Sequence, residues 1–147
     1  MSPVHYKPEG FHSVTPYLVV QGADRLIEFL KQAFEAAEIY CGRNPDGRIN
    51  HAQFRIGDSM IELAEGNDQW QPMPCALHLY VPDADAVYHR ALKAGATSLM
   101  EVADQSYGDH SGGVTDPSGN QWFIATKKEH LSEEEIQSRE AAAGKSS

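Results

Sequence analysis

The sequence predicts an α+β fold made of two tandem βαβββ modules whose sheets curl around a cavity for a small molecule. Apolar residues alternate in strand-like stretches and recur at helical spacing between them, in the order strand, helix, strand, strand, strand. The same order begins again at Ala76, and identities between the two halves share one offset of 61 residues. A repeated element order at a constant offset indicates an internal duplication.

The first module is expected at residues 14–64. Its predicted elements are, in order, a strand at 14–20, a helix at 24–35 and strands at 37–42, 49–56 and 59–64. The apolar face of the helix consists of Leu26, Ile27, Leu30, Ala33 and Phe34. Turn sequences separate the last three strands, Asn-Pro-Asp-Gly at 44–47 and Gly-Asp at 57–58.

The second module is expected at residues 76–127, after a linker at 65–75. Asp83 is the predicted N-cap of its helix and Gly95 the predicted stop. The predicted strands are at 76–81, 97–102, 112–115 and 120–125. The identities that carry the offset are Leu18 with Leu79, Val20 with Val81, Ala23 with Ala84, Asp24 with Asp85, Ala33 with Ala94, and Ala64 with Ala125.

The two ends of the chain are expected to be accessory. Residues 1–13 are an N-terminal extension, and residues 128–147 form a tail. Ser132 with Glu135 three residues later is a capping box, which predicts a short helix before the polar end at 144–147 frays.

Composition excludes several classes of function. The hydrophobic content of 41% and the charged content of 22% are those of a globular protein with no membrane span. A net charge of -9 with scattered basic residues argues against nucleic acid as a partner. Cys41 and Cys75 follow no metal-ligand spacing, and the first ten residues contain no apolar run. A reducing compartment, the cytoplasm, is therefore predicted.

Alternation along the strands assigns each sheet two different faces. One face is aliphatic and suits packing under the helices; its residues are Leu18, Val20, Ile61, Leu63, Leu77, Leu79, Val81 and Ile124. The opposite, concave face is mixed, with Thr15, Tyr17, Met60, Glu62, Ala76, His78, Tyr80, Gln121 and Phe123. Aromatic rings with a few ionisable groups suit a cavity for an organic ligand, and the alternative is a half-solvated sheet face.

Four segments carry a family resemblance that spans residues 14–127. They are Val-Thr-Pro-Tyr-Leu at 14–18, Gly-Asp-Ser at 57–59, Tyr-Val-Pro-Asp-Ala-Asp at 80–85, and the run from Tyr107 to Gly119. With these segments the chain resembles the vicinal oxygen chelate (VOC) superfamily of glyoxalases, bleomycin-resistance proteins and extradiol dioxygenases, and within it the PhnB-like branch. The resemblance implies a U-shaped sheet, often completed in a homodimer.

The resemblance also implies four metal-ligand positions, on the first and last strand of each module. In this sequence they are Thr15, Glu62, Ala76 and Phe123. Only Glu62 would bind a metal well, so we expect the glyoxalase-type metal site, and with it any cofactor, to be absent. A shifted metal site would use Glu62 and His78 with His51 or His110. A lone strand histidine is otherwise a satisfied polar group.

Several side chains are candidates for ligand binding or catalysis. Glu62 lies between apolar neighbours such as Met60 on the predicted concave face, where a carboxylate is a candidate general base; the alternative is a solvated strand carboxylate. The other candidate ligand-binding residues are Tyr17, Met60, His78, Tyr80, Tyr107, His110, Gln121 and Phe123. Tyr107, Asp109 and His110 are interpreted as a lid loop, with plain turn chemistry as the alternative.

Three further features are given structural interpretations. The sequence Asp-Pro-Ser-Gly at 116–119 is a turn without a catalytic role. Trp122 is expected in the core, and its neighbour Phe123 is the candidate for stacking on a ligand. Trp70, in the linker, would shield either a cavity mouth or a dimer contact.

The sequence leaves three functions open. The first is binding of a small aromatic or cationic molecule, in a homodimeric protein without the usual metal. The second is an enzyme, a lyase, isomerase or dioxygenase that uses a shifted metal site or Glu62 as base. The third is an interaction protein with a vestigial cavity.

Overall fold

The structure, a computed structural model, describes residues 4–145. Its elements are β1 (Tyr17–Val20), α1 (Ala23–Phe34), β2 (Ala37–Arg43), β3 (Ile49–Ile56), β4 (Ser59–Glu65), β5 (Ala76–Tyr80), α2 (Ala84–Lys93), β6 (Thr97–Asp104), β7 (Asp109–Thr115), β8 (Gln121–Lys127) and α3 (Glu133–Lys145). This order confirms the predicted α+β class with tandem βαβββ modules. Within the described residues, no helix is long and apolar enough to cross a membrane.

The chain divides into two compact units, each with its own four-stranded sheet. The first unit runs to Cys75 and includes Pro117–Gly119; the second comprises Ala76–Asp116 and the chain from Asn120 onward. Sheet order is β1-β4-β3-β2 in the first unit and β5-β8-β7-β6 in the second. In both sheets the first strand pairs in parallel with the last strand of its module, and the other pairs are antiparallel.

The strand registers repeat in the same way. Tyr17 pairs with Glu62 in the first sheet, and His78 pairs with Phe123 in the second. Both members of the second pair follow those of the first by 61 residues (78 − 17 and 123 − 62). The duplication predicted from a few identities is therefore present in the hydrogen-bonded ladders.

Each sheet buries one face against its helix. In the first unit the largest fully buried side chains include Phe29 of α1 and Phe54 of β3, and α1 contacts β3 and β4. In the second unit α2 contacts β6, β7 and β8. The predicted aliphatic face is buried at Leu18, Val20, Ile61, Leu63 and Ile124 and half-buried at Leu77, Leu79 and Val81.

The two module helices are capped from equivalent places. The Glu65 carboxylate accepts hydrogen bonds from the backbone N–H groups of Gly22 (3.0 Å) and Ala23 (2.9 Å) at the start of α1. Thr126, 61 residues after Glu65, accepts from the N–H of Ala84 at 2.8 Å with its hydroxyl oxygen. These bonds satisfy donors that a helix cannot satisfy itself, and the Glu65 charge also complements the α1 dipole.

Strand and helix ends differ from the prediction at several points. The first strand begins at Tyr17 rather than at residue 14, because Pro16 has no N–H for a ladder. Asp83 is the N-cap of α2, with its side chain accepting from Ala86 N, as predicted. Ser132 accepts from Glu135 N and starts α3, but the helix continues through residues 144–145, where fraying was predicted; residues 146–147 lie outside the described range.

The predicted lid loop is mostly strand. β7 begins at Asp109, three residues before the predicted start at 112, and β6 continues to Asp104, which pairs with His110. Register irregularities between Ser98 and Ala103 hide the alternation that would have marked this pairing. The connection left between the strands is short, and Gly108 adopts a left-handed backbone conformation in it (φ 95°).

The turn at 116–119 is structural, as predicted. The Asp116 carboxylate is buried and accepts hydrogen bonds from the Asn120 backbone N–H, the Asn120 amide and Nε1 of Trp122, at 2.8–3.0 Å. Gly119 supplies the positive φ (92°) that the turn requires. Trp122 is buried in the core of the second unit, also as predicted.

Candidate functional site

A cavity of about 730 Å³ lies in the first unit. It is bounded by one end of the sheet, by the β2–β3 turn and by the segment after β4. Its lining residues are Tyr17, Val19, Asn44, Asp46, Arg48, Ile49, Asn50, Ala64, Glu65, Gly66, Asn67 and Trp70. This volume lies in the range of small-molecule sites, about 300–1,000 Å³.

Two aromatic rings are exposed around this cavity. Tyr17 of β1 is 49% exposed, and Trp70 is 64% exposed. Trp70 is held by a tight turn in which the Asn67 side chain accepts from Gln69 N (2.9 Å) and Trp70 N (2.7 Å). Of the two roles that the sequence left open for Trp70, the structure thus places it at a cavity. The sequence did contain a signal for this turn, because an asparagine side chain commonly hydrogen-bonds the backbone that follows it.

The rim of the cavity is polar and comes from the β2–β3 turn. Asn50 donates to the side-chain oxygen of Asn44 at 3.1 Å, and the Asp46 carboxylate accepts from Arg48 N at 2.9 Å. The guanidinium of Arg48 stands 3.9 Å from Asp46 and is mostly solvent-exposed. The sequence predicted a turn at 44–47 and a strand from residue 49, and neither pattern indicated that these side chains border a cavity.

Glu62 lies on the same sheet face in a polar setting. Its Oε1 accepts from Nε2 of His51 (2.8 Å) and from Nε2 of Gln53 (3.2 Å). The His51 ring stacks on Tyr17 and lies beside Tyr40, with both ring centroids 6.1 Å away. Gln53 and Tyr40 were not predicted from the sequence, although β3 pairs Gln53 directly with Glu62.

Met60 lies two residues before Glu62 on β4, on the same sheet face, and its side chain is buried. Its role as a ligand-binding residue stays a prediction. A second cavity of about 290 Å³ does border Glu62 and Thr15. Its other walls come from the N-terminal extension, with Tyr6, Lys7, Pro8, Phe11, His12 and Ser13.

Five of the candidate residues, His78, Tyr80, Tyr107, Gln121 and Phe123, belong to the second unit. His78 pairs with Phe123, whose ring covers Gly113, and the His78 and Tyr80 rings are 4.7 Å apart. The Tyr80 hydroxyl donates to the buried carboxylate of Asp109 at 2.8 Å, and this hydrogen bond raises the pKa of Tyr80. Gln121 is exposed on β8 and Tyr107 lies in the β6–β7 connection.

Two of the three predicted lid residues do not belong to a lid. Asp109 is a buried strand residue bonded to Tyr80, because β7 begins there. His110 points to the helix side, where Nδ1 contacts Asp104 (2.7 Å) and Nε2 contacts Asp85 of α2 (2.8 Å). On β8, His78 pairs with Phe123 and His110 pairs with Thr126. These two partners are three residues apart, and side chains alternate along a strand, so the two histidines lie on opposite faces of the sheet. The predicted shifted metal site containing both is therefore wrong.

Protonation of His110 is expected to stabilise the second unit. Hydrogen bonds to Asp104 and then Asp85 raise the pKa of His110 above its usual value. A raised folded-state pKa adds stability that is complete below the unfolded pKa of about 6.5 and disappears as pH rises through the folded value. The stability lost in His110→Gln should therefore be larger at about pH 5.5 than at about pH 8.5 in urea unfolding. His89→Gln, on the exposed side of α2, is the control, and an equal loss at both pH values would contradict the prediction.

The sequence profile of the Glyoxalase/Bleomycin resistance protein/Dioxygenase superfamily matches residues 10–124. The chain belongs to this superfamily. A relative, "Uncharacterized protein Mb0911c" of Mycobacterium bovis, is 34% identical over 143 residues, which cover 90% of this chain and 94% of the relative. The family membership inferred from the four sequence segments is confirmed at this level.

Solved structures share the fold at lower identity. TioX from Micromonospora sp. ML1 superposes with a TM-score of 0.68 and 19% identity, over 79% of this chain and 98% of TioX. A Bacillus cereus protein described as "Putative 3-demethylubiquinone-9 3-methyltransferase, PhnB protein" superposes with a TM-score of 0.61 and 18% identity, over 78% of this chain and 99% of its own. At such identities the likeness establishes the fold alone.

The family's metal positions do not supply a metal-binding set in this chain. Ala76 and Phe123 have no side-chain donor atom, and the Glu62 carboxylate already accepts hydrogen bonds from two neighbouring side chains. Across residues 4–145, no group of three or more His, Cys, Asp or Glu side chains is arranged to hold a metal ion. The residues present therefore do not fit the octahedral centre of the family's metal enzymes.

Proposed function

We propose that the protein binds a small organic molecule in the 730 Å³ cavity of the first unit. The observation that carries this proposal is the pair of exposed aromatic rings, Tyr17 and Trp70, at a cavity with an aliphatic floor. Large rings that stay exposed in water gain free energy when a ligand covers them, of the order of 2 kcal/mol for a fully buried side chain. The polar rim would orient the bound molecule.

A thermal-shift screen tests this proposal. A ligand that binds the native state raises stability by about 2.7 kcal/mol at 100 times its dissociation constant, so a chemically diverse panel should contain at least one stabilising compound. Trp70→Ala should weaken binding of that compound by about tenfold or more. Met73→Ala, at an exposed apolar residue of the same linker that does not line the cavity, is the matched control. Silence across the panel would reject the function.

The absence of a resident metal is part of the same proposal. It is supported by the poor donor set at the four family positions rather than by the lack of an ion. Metal analysis of untagged protein, grown with added metals and purified without chelators, should find a negligible amount, also in Glu62→Ala and His78→Ala. About one equivalent of a transition metal that both variants lose would overturn it.

A second candidate function is a metal-independent enzyme that depends on Glu62. It is favoured by the hydrogen bonds from His51 and Gln53, which hold one carboxylate oxygen in a fixed position. Compounds that bind in the screen should be incubated with the protein and analysed for products. Glu62→Gln should then abolish turnover and keep the thermal shift, whereas turnover that survives this substitution would exclude the role.

We propose a homodimer and membership of the PhnB-like branch as well. Both sheets end in an edge strand with exposed apolar side chains, Ile39 and Tyr40 on β2 and Leu99 and Met100 on β6. Such edges are usually covered by another chain or protected. Light scattering should give twice the chain mass of 16.2 kDa, and a monomer mass would refute the dimer.

Branch membership is supported by the PhnB fold neighbour and by residues 80–85 and 107–119.

A further inference from the structure

We infer that the cavity of the first unit takes a flat aromatic molecule with one anionic group, which Arg48 binds while Tyr17 and Trp70 contact the ring. This inference rests on the proposed function, because it names the class of ligand for the same site. It keeps the aromatic ligand that the sequence left open and departs from the cationic one. The reason lies in how the charged side chains around the cavity are already engaged.

The guanidinium of Arg48 does not help to hold the fold together. Within residues 4–145 the Arg48 side chain donates no hydrogen bond, and its nearest carboxylate oxygen, on Asp46, is 3.9 Å away. An exposed contact at that distance is weak. Arg43, on the same hairpin, is different, since it forms a bidentate pair with Asp24 at 2.6 and 3.1 Å and also bonds Gly47 O. A planar fork of five donors therefore remains available at the cavity rim.

The carboxylates at the cavity are already engaged. Both oxygens of Glu65 accept from the backbone N–H groups at the start of α1, and the helix dipole offsets the charge. One oxygen of Asp46 accepts from Arg48 N, which closes the turn. A ligand cation would have to compete with these bonds, whereas an anion needs only the donors that Arg48 leaves unused.

The rest of the cavity sets the shape of the ligand. Val19, Ile49 and Ala64 supply an aliphatic floor, and the rings of Tyr17 and Trp70 supply faces for stacking. Arg48 also borders a neighbouring cavity of about 510 Å³, and its side chain is 66% exposed. An anionic group placed at Arg48 would therefore stay near solvent while the ring is covered, which lowers the desolvation cost of the charge.

Four probes test separately whether binding depends on the aromatic ring, on the presence of a charge and on the sign of that charge. They are 2-naphthoate (aromatic anion), 2-naphthamide (neutral aromatic), 2-naphthylmethylamine (aromatic cation) and cyclohexanecarboxylate (aliphatic anion). Binding is followed on the full-length chain by the indole N–H signals in nuclear magnetic resonance. Trp122 is buried and its N–H is bonded to Asp116, so its signal is the internal reference and Trp70 is the reporter.

The expected result is that 2-naphthoate binds most tightly and shifts the Trp70 signal alone. Arg48→Gln should lower the affinity for 2-naphthoate by about tenfold or more, as expected for loss of a charge-assisted hydrogen bond. The affinity for 2-naphthamide should not change. Arg55→Gln, which changes an exposed arginine of β3 outside the cavity lining, is the matched control and should change neither. Added salt should weaken the naphthoate complex only.

The outcomes distinguish the two proposals. If no probe moves the Trp70 signal and the thermal-shift panel is silent, small-molecule binding at this site is wrong. If the aromatic probes bind but the anion has no advantage, or if Arg48→Gln leaves 2-naphthoate unaffected, the proposed function survives and the ligand class is wrong. Tighter binding of the aromatic cation would likewise overturn the assignment of an anion.

Discussion

Replacing Asp116 by alanine is expected to lower the free energy of unfolding by about 3–5 kcal/mol. The carboxylate is buried and accepts from three donors, two on Asn120 and one on Trp122. Its removal leaves these donors without their acceptor in a site closed to water, and each unsatisfied buried donor costs about 1–3 kcal/mol. Chemical denaturation followed by circular dichroism measures the loss.

Two further variants make this experiment specific. Asp58→Ala removes a carboxylate from an exposed turn and should cost well below 1 kcal/mol. Asp116→Asn keeps one acceptor oxygen and should lie between the wild type and Asp116→Ala. If Asp116→Ala unfolds with the wild-type midpoint, the carboxylate does not hold this turn together.

Phe54→Ala should destabilise the first unit by about 3–5 kcal/mol. Phe54 is fully buried on β3, on the sheet face opposite Glu62, so truncation leaves a void in the core. Phe54→Leu keeps most of the volume and should cost less than about 1.5 kcal/mol. The same urea unfolding measures both variants. Equal losses in the two would show that the site collapses and that packing there is loose.

Two patterns in the sequence made the fold predictable: the alternation of apolar and polar residues along the strands and the repeated order of the elements. A strand with one buried face must place its apolar residues two apart, so Leu18 with Val20 and Ile61 with Leu63 identified the core side of β1 and β4. Asp83 was found because a helix start needs a side-chain acceptor near its first N–H groups. The start of β7 was missed because β6 is an exposed edge strand with an irregular register, where neither signal operates.

The candidate site was only partly predictable. Tyr17 and Glu62 were placed on one face correctly, since strand pairing sets them opposite each other. Arg48 was missed because turn residues follow no periodicity, and its place beside Trp70 at the cavity depends on how two separate connections fold. Met60 lies on the predicted face, but its burial was not predicted, because alternation identifies the side of a strand and not what covers it. Contacts between connections are therefore the part that a pattern in the sequence cannot supply.

The cap that Glu65 provides to α1 has a consequence for synthesis on the ribosome. Glu65 follows Ala23, one of the residues that it caps, by 42 positions. At about 5–20 residues per second, the first turn of α1 waits about 2–8 seconds for its acceptor. Asp83, by contrast, caps α2 through Ala86, three residues away. Ala84 of α2 waits equally long for Thr126, but the second helix has one side-chain cap, Asp83, as soon as it emerges, whereas the first has no side-chain cap until the last strand of its module has been made.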